Sequence, residues 1–542
     1  MQQYDYDWLV IGSGFGGSVS ALRLSEKGYK VGVLEEGRRF KDEDFAASAW
    51  DLKRYLWSPL LGLRGILRMS PFRDVFIFSG AGVGGGSLVY ANTLYRAKSE
   101  FFENPQWKTL DDWKTQLAPH YQEAERMLGV VTVPFESPAD SLLKLAAEQT
   151  GMGDTFTRTP VGVFFGEPGV EVADPYFGGT GPRRSGCKRC GACMIGCRHG
   201  AKNTLVKNYL WFAEKAGAQV LPDQHATDIR PLGAADGSDG YEVFTKDPGA
   251  WGSKATRRYT ARGVIVAAGA RGTNHLLANC KHSGSLPRIS DRLGELVRTN
   301  SESIMALTLP DDSMDVWNTV AISASVHVDA DTHIEFVTYG QKADFMGAVL
   351  LAPLTGKGTR LTRPLKLLGN ILRHPLTFLR LLWPFGWSQR TLIVLVMQSL
   401  DNAIAFRAKP RLFGHGVKLT TDQDAEKPNP TFIEAGHKAT EFLARHTGGV
   451  AQSMVLEALA NVPSTAHILG GAVIGSGPDK GVIDAHHRVF GYQNLMVCDG
   501  AAVPANPGVN PSLTITAMAE AAMAAVPMKT TIEDTRKETC AA

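Results

Sequence analysis

The first apolar run of the chain, Tyr6 to Ile11, is followed at once by "GSGFGG" and then by a helical pattern from Ser18 to Lys27. A second apolar run, Tyr29 to Leu34, is closed by Glu35. Short apolar runs bounded by glycine read as buried strands, and apolar residues spaced by three and four read as a helix. The pattern therefore predicts strand, tight turn, helix and strand in succession. Further along, Val264 to Ala268 reads as a buried strand ending at Gly269. Leu495 to Val497 reads as another, ending at Asp499-Gly500, and Thr514 to Ala525 as an Ala-rich helix. These separated pieces are expected to assemble one dinucleotide-binding unit.

The middle of the chain has a different rhythm. "TVAISASVHV", "HIEFVTYG", "GAVLLAPL", "LIVLVMQSL", "AIAFRAK" and "GVKLTT" follow one another without Rossmann-type helices between them. Such a series predicts a largely antiparallel sheet. "TLDDWKTQLAPHYQEAERMLGV" and "TFIEAGHKATEFLARHTG" read as helices. The expected fold class is α/β. A discontinuous Rossmann-like domain takes residues 1–98, 186–304 and 455–542. A substrate domain of antiparallel sheet and helices takes 99–185 and 305–454.

Two segments stand apart, "AWDLKRYLWSPLLGLRGILRMSPF" and "LTRPLKLLGNILRHPLTFLRLLWPFGW". Both read as short amphipathic helices broken by Pro or Gly, and Arg363, Lys366, Arg373 and Arg380 lace the second. They suit a helical cap over a pocket, or an interface helix touching a membrane or lipid aggregate. One object serves both roles if a bulky lipid must pass into a buried pocket.

Composition narrows the classes. With 542 residues, 44% of them hydrophobic, the chain is long enough for two or three units. Its 57 basic and 54 acidic residues nearly cancel, and no basic tract accompanies them, so a nucleic-acid partner is excluded. The N-terminus lacks a basic region followed by a long apolar run, and no apolar run reaches membrane-span length. A cytoplasmic location, with peripheral contact at the membrane, is the expectation, and its cysteines are then reduced.

The glycine motif carries a mechanism. Gly12 permits the tight turn, Gly14 lets a pyrophosphate approach the backbone, and Gly17 lets helix and strand pack closely. Ser13 and Phe15 lie within the same turn, where the helix N-terminus offers N–H groups to phosphate. Glu35 is placed to accept hydrogen bonds from a ribose. Strand, turn, helix and acid agree on a dinucleotide, though not on which one. A second glycine stretch, "SGAGVGGGSLVYANTLYRA", lies between apolar segments. Gly82, Gly84, Gly85, Gly86 and the adjoining Ser87 are expected to bring backbone close to the cofactor.

Taken together, "GSGFGG", "GVGGGSLVY", "VIVAAG", "HILGG" and "DGAAVPANPGVNPSLTITAMAEAAM" resemble the FAD-dependent GMC oxidoreductases, and within them the bacterial cholesterol-oxidase group. The resemblance implies noncovalent FAD and oxidation of a bulky hydrophobic alcohol, a 3β-hydroxysteroid among them, by hydride transfer to flavin N5. It places the catalytic histidine at His467, with Ile468 where the family has proline, and the catalytic asparagine at Asn510. It makes Glu335 the candidate base for moving a steroid ring proton during isomerisation. Asp499 and Gly500 would line the flavin side chain, and the helix after Pro511 would point its N-terminus at the ring. Tyr90 stands where that group has asparagine, which weakens the match to cholesterol itself. His486 and His487 read as turn residues outside the chemistry. The chemistry suits these roles: histidine can take a hydroxyl proton near neutral pH, asparagine can hold the oxygen, and the flavin carries the hydride. Two alternatives remain: a flavin or iron–sulfur isomerase or reductase of lipids, and a flavin electron-transfer module without alcohol chemistry.

"CKRCGACMIGC" sets Cys187, Cys190, Cys193 and Cys197 at ferredoxin spacing. In two-cluster ferredoxins the fourth cysteine of such a run serves another cluster. Cys280, Cys498 and Cys540 are therefore candidate remote ligands, and Cys197 the local one. A [4Fe–4S] centre, free thiols in a structural or redox loop, and zinc or another metal all remain open. A cluster would favour a protein or quinone electron acceptor over oxygen.

Overall fold

The computed structural model describes residues 3–249, 255–411 and 416–530. The apolar run Tyr6–Ile11 is a central parallel strand between Val31–Leu34 and Thr256–Val266. Gln219–Leu221 extends the sheet beyond Val31–Leu34. Thr256–Val266 is long enough for two neighbours on its other side. Its first half pairs antiparallel with Tyr241–Lys246, and its last residues pair parallel with Leu495–Val497. Strands from both ends of the chain and from its middle thus end side by side, at Ile11, Val266 and Val497. This is the discontinuous α/β core that the apolar runs predict. The helices Phe15–Glu26 and Ser512–Ala524 belong to the same buried cluster.

The second sheet has seven strands in the order Leu351–Pro353, Val450–Met454, Ser303–Thr308, Thr391–Gln398, Thr332–Val337, Ala324–His327 and Thr157–Arg158. Every pairing in it is antiparallel. Pro138–Glu148 and Glu434–Thr447 pack on one face of it.

Several elements differ from the sequence pattern. "AIAFRAK" and "GVKLTT" form a separate two-stranded ribbon, Ile404–Pro410 with Val417–Gln423. "AWDLKRYLWSPLLGLRGILRMSPF" contains one α-helical turn, Leu52–Tyr55, and a 3-10 turn, Pro59–Leu61. The rest is short strands, because Gly62 takes a left-handed conformation that reverses the chain and pairs Trp57–Ser58 with Leu63–Arg64. "LTRPLKLLGNILRHPLTFLRLL" does form two helices, Thr362–Arg373 and Pro375–Leu381. Arg363 is not on their outer face: it is fully buried and pairs with equally buried Glu457 at 2.8 Å. Packing divides residues 99–185, which sequence had placed wholly with the substrate side. Trp113–Leu128 shares a core with the parallel strands, whereas Pro138–Glu148 packs on the antiparallel sheet.

Candidate active site

A cavity of about 790 Å³ lies between the ends of the parallel strands and the antiparallel sheet. Ile11, Leu34 and Ala267 meet it from one side, and Ile304, Val337, Ile393 and Leu395 from the other. The N-termini of three helices open on it, at Phe15, Gly269 and Ser512. Helix N-termini carry free N–H groups and favour anions.

The first glycine turn is shaped by close backbone approach. Gly12 has φ +105°, and a Cβ there would lie 2.1 Å from the Ala267 carbonyl oxygen. A Cβ on Gly17 would lie 2.0 Å from the Gly12 oxygen. Gly14 faces the cavity, and a Cβ there would meet nothing within 4 Å. Its hydrogen leaves open space on the cavity side. Ser13 and Phe15 line the same wall. These residues fit a pyrophosphate-bearing cofactor.

Glu35 is a hub of this wall. One of its oxygens accepts from Ser13 N and Oγ at 3.1 and 2.6 Å, the other from Gly37 N at 2.8 Å and Gly82 N at 3.3 Å. Burial raises its pKa above the ordinary glutamate value against these hydrogen bonds. Ser13 Oγ also accepts from Gly84 N, joining the two glycine loops. Of the second loop, Gly85 and Gly86 face the cavity. Gly82, Gly84 and Ser87 hold the loop's shape, Ser87 by donating to the Gly84 carbonyl at 2.7 Å. Glu36, which sequence reasoning passed over, also faces the cavity and pairs with Arg68 and His225.

Asp499, Gly500 and Pro511 line the cavity. Asp499 accepts from Gly269 N and Ala501 N, both at 2.8 Å, and from Thr273 Oγ1. Burial pushes its pKa up to about 6 despite these bonds.

His467 and Asn510, 43 residues apart, meet at one end of the cavity, with His467 Nε2 and Asn510 Nδ2 3.4 Å apart. Asn510 Nδ2 also donates to Glu335 Oε2 at 3.2 Å. Glu335 is fully buried on Thr332–Val337 and stands behind Asn510, not among the residues facing the cavity. Burial pushes its pKa up to about 8, opposed by Asn510 and His467.

Glu302 is a second cavity residue that sequence reasoning missed. Its carboxylate faces the cavity and lies 2.9 Å from His467 Nδ1, off the axis of an aligned hydrogen bond. It also accepts from Thr465 Oγ1 at 2.8 Å and from Ala466 N. Burial works against the imidazolium, but the Glu302 carboxylate, together with Glu335, outweighs it and holds His467 above its ordinary pKa. The two preceding residues, Asn300 and Ser301, are left-handed at φ 59° and 44°. Asn300 binds the loop that carries Asn510, donating to the Val509 carbonyl and accepting from Gly508 N. Strain of this kind concentrates at functional sites. Nothing in "RTNSESIMAL" marks it. His487 lies apart, its ring against the Val497 carbonyl at 2.8 Å.

Cys187, Cys190, Cys193 and Cys197 face a smaller cavity of about 150 Å³. None of the four is in a disulfide. Burial pushes Cys187 up to about 12 and Cys193 up to about 11. Among the described residues, no group of three or more His, Cys, Asp or Glu is drawn around a single metal ion. Cys280 and Cys498 are buried in the core of the parallel sheet instead, and Cys540 lies outside the described residues.

The GMC oxidoreductase family models match residues 181–293 and 415–519. A cholesterol oxidase of Mycobacterium tuberculosis (strain ATCC 25618 / H37Rv) is 52% identical over 97% of this chain and 92% of its own. One of Acinetobacter baumannii is 46% identical over 98% and 96%. Pyridoxine 4-oxidase from Mesorbium loti superposes with TM-score 0.61 at 15% identity, covering 96% of this chain and 98% of that one, a likeness of fold. With glycine turns that fit a dinucleotide and relatives that match nearly end to end, the chain belongs to the GMC oxidoreductase family and is an FAD-dependent oxidoreductase.

Proposed function

We propose that this enzyme oxidises the ring hydroxyl of a sterol to the ketone. The observation that carries the reading is the meeting of His467 Nε2 and Asn510 Nδ2 at the end of a cavity whose remaining wall is largely apolar. The alcohol oxygen is held between these two groups. Neutral His467 takes the hydroxyl proton at Nε2 as the C–H bond breaks. Glu302 stabilises the imidazolium that forms and fixes which nitrogen faces the substrate. Asn510 donates to the oxygen, and Glu335 orients that amide. FAD, when bound, accepts the hydride, so the alcohol loses one hydride and one proton. The apolar wall of Ile304, Val337, Ile393 and Leu395 suits a rigid hydrocarbon. The names of the two cholesterol oxidase relatives support the sterol class.

The same reading includes peripheral contact with a lipid surface. Leu365, Leu368, Leu372, Leu376, Leu379 and Trp383 are 52–73% exposed on and just beyond the helices Thr362–Arg373 and Pro375–Leu381. Among the described residues no helix is long and apolar enough to cross a membrane. Contiguous apolar surface of this kind, edged by basic residues, suits the plane of a bilayer interface. Trp50 joins this surface to the substrate side through ring contacts with Phe345 and Phe385, and Leu60 faces the cavity.

The test is an anaerobic titration of the FAD-loaded enzyme with cholesterol. Bleaching of the oxidised flavin bands with one equivalent of enone or ketone product is expected, and His467→Ala is expected to slow it by about 10²–10⁴-fold. Wild-type flavin that stays oxidised with every 3β-hydroxysteroid defeats the substrate reading. Unchanged turnover in His467→Ala defeats the assignment of the base.

A further inference from the structure

The alcohol step makes no use of the four-cysteine loop, whose surroundings are electrically unusual. Cys187, Cys190, Cys193 and Cys197 face one cavity together with Lys188, Arg198, His199 and Lys202. No Asp or Glu is among the described residues of its wall. Lys202 is 1% exposed and Arg184, within electrostatic range of Cys197, is 2% exposed. Lys202 donates to the backbone carbonyls of Leu88, Tyr90 and Cys193 at 2.9–3.0 Å. Arg184 donates to the carbonyls of Gly200 and Ala201. Among the described residues neither cation forms an ion pair with an acid; Arg184 lies over the Tyr176 ring within electrostatic range of Asp42, and Lys202 lies over the Tyr90 ring. Burying a charge without an opposite one is costly, and neutral thiols do not supply one. Two buried cations beside four cysteines call for negative charge at the sulfurs.

Size separates the ways of supplying it. A structural zinc draws four thiolates to about 2.3 Å from one point. These four line, with neighbouring residues, a partly open cavity of about 150 Å³. The space suits a polyatomic centre, and soft thiolates select iron–sulfur clusters. The loop is also held in shape. Gly191 N donates to the Thr319 carbonyl at 2.8 Å and Cys187 N to the Phe164 carbonyl at 2.9 Å. Gly196, at φ +100°, turns the chain so that Cys197 faces the same cavity as the other three. The geometry points to a local fourth cysteine: Cys197 lines the same cavity, while Cys280 and Cys498 are buried in the core of the parallel sheet. The Asn92 amide is fully buried, without an aligned hydrogen bond, in range of Cys193. Amide donors near sulfur are among the groups that tune such centres.

We propose that Cys187, Cys190, Cys193 and Cys197 ligate an iron–sulfur cluster whose negative charge is balanced by buried Lys202 and Arg184. The site adjoins the flavin cavity, since Met194 and Tyr90 face that cavity while Cys193 and Lys202 face this one.

The test uses the full chain, FAD bound, purified without oxygen and reconstituted with ferrous iron and sulfide. After desalting, iron, acid-labile sulfide and zinc are measured, with visible and electron paramagnetic resonance spectra. Iron and sulfide in equal amounts, a broad absorption beneath the flavin bands and a signal on dithionite reduction are expected. Cys197→Ser is expected to lose iron while keeping FAD. Cys190→Ser is the second variant should Cys197→Ser not fold. Lys202→Met, with all thiols intact, is expected to release iron to a chelator about 10–100-fold more readily, as for other outer partners of metal ligands. Zinc bound without sulfide overturns the proposal, as does iron retained equally by the serine variants, or no iron in a chain that carries its full FAD. Flavin bleaching by sterol is read on the same samples, so the sterol reading and the cluster stand or fall separately.

Discussion

His467 Nδ1 lies 2.9 Å from Glu302 Oε2, and that carboxylate is buried. The contact has a sign that pH can read. Below its pKa His467 is an imidazolium and cannot accept a hydroxyl proton. Activity should therefore rise with pH through that pKa, which Glu302 holds above the ordinary value. In Glu302→Gln burial is opposed only by the more distant Glu335, and the pKa falls. The acid limb of the kcat/KM profile is expected to move to lower pH while the plateau falls by about 10²-fold or more. A limb that stays in place, at unchanged FAD content, would show that Glu302 does not set the charge of His467.

Glu335 gives a second pH signature, this time in stability. Its folded pKa of about 8 lies above the ordinary glutamate value of 4.5. A raised pKa contributes stability that is present below about 4.5 and is lost as pH rises toward and through about 8. Each unit of separation corresponds to about 1.4 kcal/mol. Glu335→Gln stays neutral, still accepts from Asn510, and should flatten this loss. The expected outcome is a Tm that falls less between pH 5 and 8 than that of the parent chain, as thermal unfolding over that range will show.

The glycine turn and the carboxylates differ in how far sequence could reach them. Gly12, Gly14 and Gly17 were legible because a tight turn between strand and helix admits few residues, and the local pattern names each role. His467 and Asn510 were legible only through resemblance, since no local rule brings residues 43 apart together. Glu302 was not legible at all. Its function depends on where Ser464–Thr465 lands, a pairing with Phe76–Gly80 nearly 400 positions away. The antiparallel sheet was readable from alternation, but the separate ribbon Ile404–Pro410 with Val417–Gln423 was not, because alternation does not say which sheet a strand joins. Arg363 misled because a basic residue on an amphipathic helix normally faces water.

The glycines can be separated by experiment. Gly14→Ala has an ordinary φ of −71° and an open direction for its Cβ, so the chain should fold. With the pyrophosphate against Gly14, as the proposed FAD site requires, the methyl group would take its place. Purified Gly14→Ala is expected to be folded by circular dichroism and depleted in FAD. Gly12→Ala, at φ +105° and 2.1 Å from the Ala267 oxygen, is expected not to yield soluble protein.

Arg363 and Glu457 are both fully buried, joining Thr362–Arg373 to Val455–Ala460. Arg363 also donates to the Thr431 and Thr355 carbonyls and to Asn461. Arg363→Met takes from buried Glu457 its guanidinium partner and leaves only Ser303 Oγ and His437 beside it, at a cost of about 3–5 kcal/mol. The double variant Arg363→Met/Glu457→Met removes both charges and should recover much of that loss. Chemical denaturation of the three proteins measures the coupling, and equal instability of the single and double variants would place the energy in the surrounding hydrogen bonds instead.

The same helices make the lipid-surface reading measurable. Leu368, Leu372 and Leu376 are 52%, 71% and 73% exposed, and Lys366, Arg373 and Arg380 lie on exposed positions beside them. Full burial of one leucine is worth roughly 1.5–3 kcal/mol, so even partial insertion of three is substantial. Leu368→Ser/Leu372→Ser/Leu376→Ser touches neither the cavity nor its glycine loops. It is expected to lower co-sedimentation with anionic vesicles by at least about ten-fold. Turnover of sterol in detergent should be unchanged, while turnover of sterol in vesicles should fall with binding. The basic residues add a salt dependence, since attraction to an anionic surface is screened within about 10 Å at 0.1 M salt. Vesicle binding that is lost in high salt but indifferent to the leucines would assign the contact to charge alone, and turnover in vesicles that ignores both would detach these helices from substrate delivery.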